Sequence, residues 1–213
     1  MIYLWVGLCA VACALTLFFY YKQNNTWSGV FKILASLCFL IPAFFVLLNG
    51  QREAFSILLT LGFGWSLAGD VLLIKTNNKR MFLLGLLAFL LAHLTYAWAF
   101  ISAGIIQYEL IMTSVVVTAA MIGCFVWLYK HLKGIMKKAV LAYLAAIGLM
   151  LITAMVTRHP EQQLITAGAV LFALSDLFVA RQRFVSPSLQ NRLIGLPLYY
   201  AGQLMLLAAL FHY

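Results

Sequence analysis

The chain has 213 residues, of which 65% are hydrophobic and only 9% are charged, and its formal net charge is +9. Soluble domains contain about 25% charged residues, so this composition excludes a soluble globular protein and predicts a membrane protein. The positive charge does not indicate nucleic-acid binding, because the basic residues cluster in short loops between apolar segments. The four cysteines lie in apolar segments without metal-ligand spacing, and we interpret them as small hydrophobic residues.

Apolar segments long enough to cross a bilayer follow one another along the whole chain, separated by short connections. The first has no basic residues before it and is too long for the hydrophobic region of a signal peptide, so we expect a retained helix. The sequence therefore predicts one all-α transmembrane domain over residues 1–213. Its eight helices are predicted near residues 2–21, 30–48, 54–74, 81–102, 108–129, 137–157, 162–180 and 191–212.

The basic residues predict how the spans are oriented. Twelve of the 14 Lys and Arg residues flank the connections that follow odd-numbered spans, whereas only Arg52 and Arg158 flank the others. Short cytoplasmic loops are enriched in Lys and Arg. We therefore expect a multi-pass protein of the plasma (inner) membrane with both termini on the exoplasmic, periplasmic side.

Two of the five acidic residues, Asp70 and Asp176, lie inside spans three and seven. In each case four apolar residues separate the aspartate from the next basic residue. A carboxylate in a membrane helix costs roughly 2.5–3.5 kcal/mol by insertion scales and usually marks a functional site. Both would lie about 7 Å inside the cytoplasmic boundary at a rise of ~1.5 Å per residue. We predict that they form a catalytic pair.

The two halves of the chain, residues 1–106 and 107–213, show a pattern that predicts an internal repeat. Four spans per half would give both halves the same orientation, related by a pseudo-twofold axis along the membrane normal. The two aspartates would then come from equivalent helices and face each other near that axis. An offset of 106 relates Lys32 to Lys138, Thr60 to Thr166, Gly62 to Gly168, Asp70 to Asp176 and Lys75 to Arg181, and an offset of 110 relates Gly85 to Gly195 and His93 to Gln203.

Polar residues lie along one face of span three. Gly62, Ser66 and Asp70 are spaced by four residues and therefore share a helix face. The small residues would let another backbone approach closely. Lys32, near the cytoplasmic start of span two, is expected to extend to the interface; pairing with an aspartate or a lipid phosphate is the alternative.

Two further polar groups lie in spans four and eight. They consist of His93 and Tyr96 in span four and of Tyr199, Tyr200 and Gln203 in span eight. These residues either line an aqueous or headgroup-filled cavity or hydrogen-bond between helices, and the sequence leaves both interpretations open.

The remaining motifs exclude several kinds of chemistry. The other histidines, His131, His159 and His212, lie near span ends, so a metal site is not expected. The sequence contains no G-x-S-x-G motif, no glycine-rich phosphate loop and no Cys/His dyad. No cofactor is predicted.

Five short motifs in order resemble those of the bacterial YhhN-type membrane proteins and their animal relatives, the lysoplasmalogenases. The resemblance covers nearly the whole chain, with one departure: Ile33 follows the span-two lysine, where the family often has proline. The motifs are Phe31-Lys32, Gly69-Asp70, Gly85-x-x-x-Phe89-x-x-Ala92-His93-x-x-Tyr96, Phe172-x-x-Ser175-Asp176 and Tyr199-Tyr200-x-Gly202-Gln203.

The resemblance implies an integral-membrane hydrolase that cleaves the vinyl-ether bond of a lysoplasmalogen or a related lysophospholipid. The products would be a fatty aldehyde and glycerophosphoethanolamine or glycerophosphocholine. It also implies that both aspartate positions are needed for activity. We predict that the residues in substrate-binding or supporting roles are Lys32, Ser66, His93, Tyr96, Ser175, Tyr199, Tyr200 and Gln203. Two carboxylates suit this chemistry when one is protonated and the other ionised, and the sequence does not say which is the acid.

The competing interpretation is a proton-coupled transporter of a small molecule or lipid. Paired intramembrane acids, an internal repeat and a polar cavity are also typical of such carriers. Against it, the spans lack helix breaks at matching positions, because Pro42 and Pro197 do not correspond.

Overall fold

The computed structural model describes residues 2–50, 52–75 and 79–211. Within these ranges the chain folds into eight α-helices, each long and apolar enough to cross a membrane, which confirms the predicted all-α architecture. A 3₁₀ turn, Leu73–Lys75, follows α3, and a π-helical turn, Arg181–Val185, follows α7. The helices are α1 Ile2–Tyr21, α2 Asn25–Leu48, α3 Ala54–Leu72, α4 Lys79–Ser102, α5 Gln107–Tyr129, α6 Ile135–Met155, α7 Gln162–Ala180 and α8 Leu189–Phe211.

The predicted span boundaries differ most at the start of α2, which begins at Asn25 rather than near residue 30. The Asn24 side chain accepts a hydrogen bond from the Trp27 amide at 3.2 Å and caps the helix. Asparagine is a preferred N-cap residue, since its side chain satisfies an amide that has no partner within the helix. His212, at the predicted end of the last span, lies outside the described residues.

Glycines allow two helix pairs to pack closely. A β-carbon on Gly202 of α8 would lie 2.7 Å from the Gly168 carbonyl oxygen of α7, so these two backbones are in direct contact. In α3 the arrangement differs from the prediction, because the residue against Gly62 is the Tyr96 ring of α4 rather than a backbone. Close backbone approach through small residues is a common way for membrane helices to associate.

The loops opposite the basic end of the bundle are joined to each other. The Ile106 amide donates to the Val156 carbonyl at 2.7 Å, and the Arg158 amide donates to the Gly104 carbonyl at 2.9 Å. Gly104 adopts a positive φ of 92°, which only glycine tolerates easily. These bonds connect the α4–α5 loop to the α6–α7 loop.

The order of packing places both aspartates inside the bundle. α4 crosses between the two halves and packs on α3 and on α6, whereas α8 packs on α7 and also reaches α2 and α3. Asp70 of α3 is 1% exposed and Asp176 of α7 is 8% exposed. Neither carboxylate faces lipid, as expected for ionisable groups within a membrane.

Candidate active site

Asp70 is surrounded by hydrogen-bond donors from α2 and α8. Lys32 Nζ lies 2.9 Å from Asp70 Oδ1. The hydroxyls of Ser36 and Tyr199 approach Oδ2 at 2.6 Å and 2.7 Å. Ser36 is one helical turn after Lys32, so α2 presents both groups on the face that packs on α3. The lysine therefore forms an ion pair with the aspartate instead of extending to the interface.

A second tyrosine of α8, Tyr200, contacts the backbone of Lys32. Tyr200 OH donates to the Lys32 carbonyl at 3.0 Å. The Ser36 hydroxyl lies at the same distance from that carbonyl but closer to the Asp70 carboxylate. Since Tyr200 already satisfies the carbonyl, the single Ser36 proton is available to the carboxylate.

Asp176 has different partners, supplied by α6 and α4. Tyr143 OH donates to Asp176 Oδ1 at 3.0 Å. His93 Nε2 lies 3.1 Å from Asp176 Oδ2, although their angle falls outside hydrogen-bond geometry. His93 Nδ1 lies 2.6 Å from the Phe89 carbonyl oxygen of its own helix. A carbonyl only accepts, so Nδ1 carries a proton, and Nε2 presents a lone pair to Asp176 when the ring is neutral.

Aromatic rings fill the space between the two carboxylate clusters. The His93 ring stacks on Phe172 with centroids 4.4 Å apart, and Phe172 packs on Tyr199 at 5.4 Å. Phe89 contacts Tyr199 edge to face at 5.9 Å. These contacts fix the rings of His93 and Tyr199 next to their own aspartates. Each carboxylate has its own set of partners, and the face-to-face pairing of the two aspartates stays a prediction.

A third polar cluster lies one turn deeper and contains Ser66, Tyr96 and Gln203. Tyr96 OH donates to Gln203 Oε1 at 2.6 Å, and Gln203 Nε2 donates to Ser66 Oγ at 3.4 Å. Ser66 Oγ lies 3.3 Å from Tyr96 OH and closes the triangle. All three side chains are buried, and their hydrogen bonds join α3, α4 and α8.

A cavity of about 1410 Å³ contains both aspartates in its wall. Lys32, Tyr199, Tyr143 and Ser175 also line it. Of the five polar residues predicted in spans four and eight, only Tyr199 lines the cavity. The others, His93, Tyr96, Tyr200 and Gln203, make the hydrogen bonds between and within helices described above. Ser175 donates to the Phe172 carbonyl at 2.7 Å, so its hydroxyl is used within its own helix.

Sequence reasoning missed two site residues, Ser36 and Tyr143. Ser36 had a usable signal, since it lies four residues after Lys32 and therefore on the same helix face. Tyr143 had only its position as a lone hydroxyl in an apolar span, which is equally typical of a packing residue. No group of three His, Cys, Asp or Glu side chains that could hold a metal ion occurs in the part of the chain that the structure describes.

Comparison with known proteins agrees with the sequence resemblance. The model of the YhhN family matches residues 27–210. Lysoplasmalogenase TMEM86B of Rattus norvegicus is 31% identical over 204 residues, which is 95% of this chain and 82% of the rat protein. Lysoplasmalogenase TMEM86A of Homo sapiens is 32% identical over 152 residues, 68% of this chain and 61% of the human protein.

A bacterial relative gives a similar match. The lysoplasmalogenase of Mycobacterium bovis is 32% identical over 154 residues, covering 68% of this chain and 57% of the mycobacterial protein. No solved structure matches the chain. The family match extends from the start of α2 to the end of α8 and includes both aspartates, so the chain belongs to the YhhN family.

Proposed function

We propose that the protein hydrolyses the vinyl-ether bond of a lysoplasmalogen or a closely related lysophospholipid, with Asp176 as the acid and Asp70 as the ionised partner. Relatives from mammals and from a bacterium are named lysoplasmalogenases, which supports the reaction class. The observation that carries the division of roles is the contrast between the partners of the two buried carboxylates.

The partners of Asp70 favour a carboxylate. An ammonium group and two hydroxyls point at its two oxygens, and each of them donates. A carboxylate accepts all three contacts, whereas a protonated carboxyl would bring its own proton against one of the donors. Asp70 can therefore stabilise positive charge in the cavity and accept a proton from water.

Asp176 lies beside a group with which it can share a proton. When its ring is neutral, His93 presents the Nε2 lone pair to Oδ2 at 3.1 Å, and two unprotonated atoms at this distance repel each other. One proton on either partner removes this repulsion. That proton resides on the carboxyl or on the imidazole, so the pair holds one exchangeable proton beside the cavity. Asp176 lines the cavity whereas His93 does not, so the carboxyl is the member of this pair that would meet the substrate.

The reaction then follows in balanced steps. Asp176 delivers its proton to the vinyl carbon that becomes the aldehyde α-carbon, and an oxocarbenium ion forms at the neighbouring carbon. Asp70 stabilises this cation and takes a proton from the water that adds to it, as the paired carboxylates of glycosidases do. The hemiacetal then breaks down: Asp70 gives its proton to the departing glycerol oxygen, which leaves as an alcohol, and the hemiacetal hydroxyl proton passes to Asp176. Both carboxyls are restored and the aldehyde is released.

The test is isotope incorporation during turnover by the purified protein in detergent. In D2O the aldehyde should contain one α-deuterium, and in ¹⁸O-labelled water the label should enter the aldehyde oxygen and not the glycerol. Mass spectrometry of promptly trapped aldehyde reads both, with a non-enzymatic exchange control and the Asp176→Asn variant beside it.

Other outcomes would reject the proposal. An esterase would release a fatty acid with the oxygen label and no carbon-bound deuterium. A transporter would release no aldehyde in detergent. Its activity would be seen only as movement of substrate across the membrane of a vesicle.

A further inference from the structure

The wall of the cavity has two sides of different polarity. The side formed by α1, α2 and α8 contains hydroxyls, amides and the cations Lys32 and Arg192. The side formed by α4, α5 and α6 is apolar, and Tyr143 is the one polar residue among the described residues that line it. Six apolar residues of this second side, which we call the apolar wall, are Leu86, Phe89, Leu128, Val140, Leu144 and Ile147.

The apolar wall follows one face of α6 inside the bundle. Val140, Leu144 and Ile147 are separated by four and three residues, so they share a helix face that extends over about 10 Å. Val140 and Leu144 are each 5% exposed and Ile147 is 2% exposed, so this face does not contact lipid. Its length corresponds to about eight carbons of an extended chain at C–C bond lengths near 1.5 Å.

The mouth of the cavity lies at the basic end of the bundle, beside the connections of the polar side. Asn25, Thr26 and Pro187 are exposed lining residues next to the α1–α2 and α7–α8 connections. In contrast, Ile147 lies 12 residues after Ile135, the start of α6, which places it about 18 Å from that end of the helix. A charged headgroup therefore keeps its contact with water near the mouth, and an apolar chain loses water along the apolar wall.

The two aspartates lie where the two sides meet. Asp176 accepts a hydrogen bond at 3.0 Å from Tyr143, the polar residue of the apolar side. Asp70 contacts Lys32 at 2.9 Å and Tyr199 at 2.7 Å, and both of these partners belong to the polar side. A ligand that extends across the cavity consequently has Asp176 next to its apolar part and Asp70 next to its polar part.

We propose that the apolar wall binds the hydrocarbon chain of the lysophospholipid, with the headgroup toward α1, α2 and α8. The ligand class rests on the proposed function. In a vinyl ether, the carbon that takes the proton is on the chain side of the carbon that takes the water. The two-sided cavity places Asp176 on the chain side and Asp70 on the glycerol side, as the proposed acid and its ionised partner require. Ligand pockets are commonly apolar, with a few polar groups that set the orientation of the ligand.

Photolabelling of the natural protein locates the chain directly. Two alkyl glycerophosphoethanolamines are used, whose saturated ether this reaction cannot cleave; one has a diazirine near the eighth chain carbon and the other has it on the headgroup amine. After irradiation in detergent, mass spectrometry identifies the labelled peptides, with excess non-photoreactive lipid as competitor. The chain probe should label peptides of α4 and α6, and the headgroup probe those of α1, α2 or α8.

Ile147→Trp tests the deep end of the apolar wall. The larger side chain leaves room for fewer carbons, so the dissociation constant of a dodecyl probe should rise about tenfold or more, whereas that of a butyl probe should stay the same. Leu149→Trp is the matched control on α6, because Leu149 is 41% exposed and does not line the cavity. Comparison of the proteins in one detergent cancels the partition of each probe into micelles. The smaller change Ile147→Phe should give an intermediate loss, and thermal melting checks the folding of each variant.

Several results would overturn the site. These are exchanged labelling patterns of the two photoprobes, labelling that the competitor does not reduce, unchanged dodecyl binding in both Ile147 variants, or an equal loss of dodecyl binding in Leu149→Trp. Absence of aldehyde release from a lysoplasmalogen would count against the proposed reaction alone, because the position of the chain is measured with uncleavable probes.

Discussion

At the residue scale, the two aspartates differ in what surrounds them rather than in where they lie. Asp70 receives three donors, whereas Asp176 receives one hydroxyl donor and has His93 Nε2 at 3.1 Å. Burial alone would disfavour the charged form of both carboxyls in the same way. The proposed division of roles between the two carboxyls rests on this difference in partners.

Replacement of each aspartate by asparagine tests these roles. Asp70→Asn and Asp176→Asn should each lower turnover by about 10²–10⁴-fold, the usual contribution of a general acid or base. Both variants should still insert and purify, since asparagine is nearly isosteric and cheaper to place in a membrane. Turnover is measured as aldehyde release in detergent, with His93→Ala as a milder comparison. Near-normal rates in Asp176→Asn would refute the paired-carboxylate mechanism.

The Lys32–Asp70 ion pair gives a prediction about stability. Lys32→Met should destabilise the protein by about 3–5 kcal/mol, because it leaves the Asp70 carboxylate without its cation. The double variant Lys32→Met/Asp70→Asn should recover most of that loss and remain inactive. Thermal melting in one detergent compares the three proteins. A double variant no more stable than Lys32→Met would show that the lysine acts through packing instead.

At the element scale, the contact between α7 and α8 positions Tyr199 beside Asp70. Gly202→Ala should push the two helices apart, since its new β-carbon would meet the Gly168 carbonyl oxygen at 2.7 Å. We expect a lower melting temperature and reduced turnover. Gly64→Ala in α3 is the matched control, because nothing lies within 4 Å of a β-carbon there. Equal behaviour of the two variants would contradict the proposed role of close packing.

The loop between α6 and α7 makes stability depend on pH. Burial lowers the pKa of His159 below its ordinary value of 6.5, and its ring lies 4.3 Å from that of Phe55. The unfolded chain therefore takes up a proton at a higher pH than the folded protein does. Stability should be full above pH 6.5 and should fall as the pH decreases below that value.

Melting temperatures measured between neutral and mildly acidic pH test this prediction. His159→Gln removes the titrating ring, so its melting temperature should decrease less steeply with acidification than that of the natural protein. Parallel curves for the two proteins would assign the acid sensitivity to other groups.

At the scale of the whole molecule, each aspartate is held by the second helix of its own half and the fourth helix of the other half. Asp70 is bound by α2 and α8, and Asp176 is bound by α6 and α4. A duplicated four-helix unit would produce this exchange, and the internal repeat stays a prediction. Such an arrangement would let two equivalent positions acquire different partners within one cavity.

The orientation of the bundle is the remaining prediction at this scale. Twelve basic residues flank the α1–α2, α3–α4, α5–α6 and α7–α8 connections, and only two flank the other connections. This difference predicts that the first set of connections faces the cytoplasm. A reporter fused after Tyr213, which lies outside the described residues, should therefore behave as periplasmic in a bacterial host. A fusion in the α5–α6 connection, near Lys133, should behave as cytoplasmic. The reverse pattern would place the cavity mouth in the other leaflet.

The sequence by itself determined the eight helices, because a bilayer requires long apolar segments and leaves no other backbone structure for them. It also singled out Asp70 and Asp176, since charge inside such segments is rare and costly. The partners of these residues depend on which helix faces pack together, and periodicity along one helix does not contain that information. Only the tertiary structure brought Tyr143 to Asp176 and Tyr199 to Asp70, and turned Lys32 from a predicted interfacial residue into the cation of a buried pair.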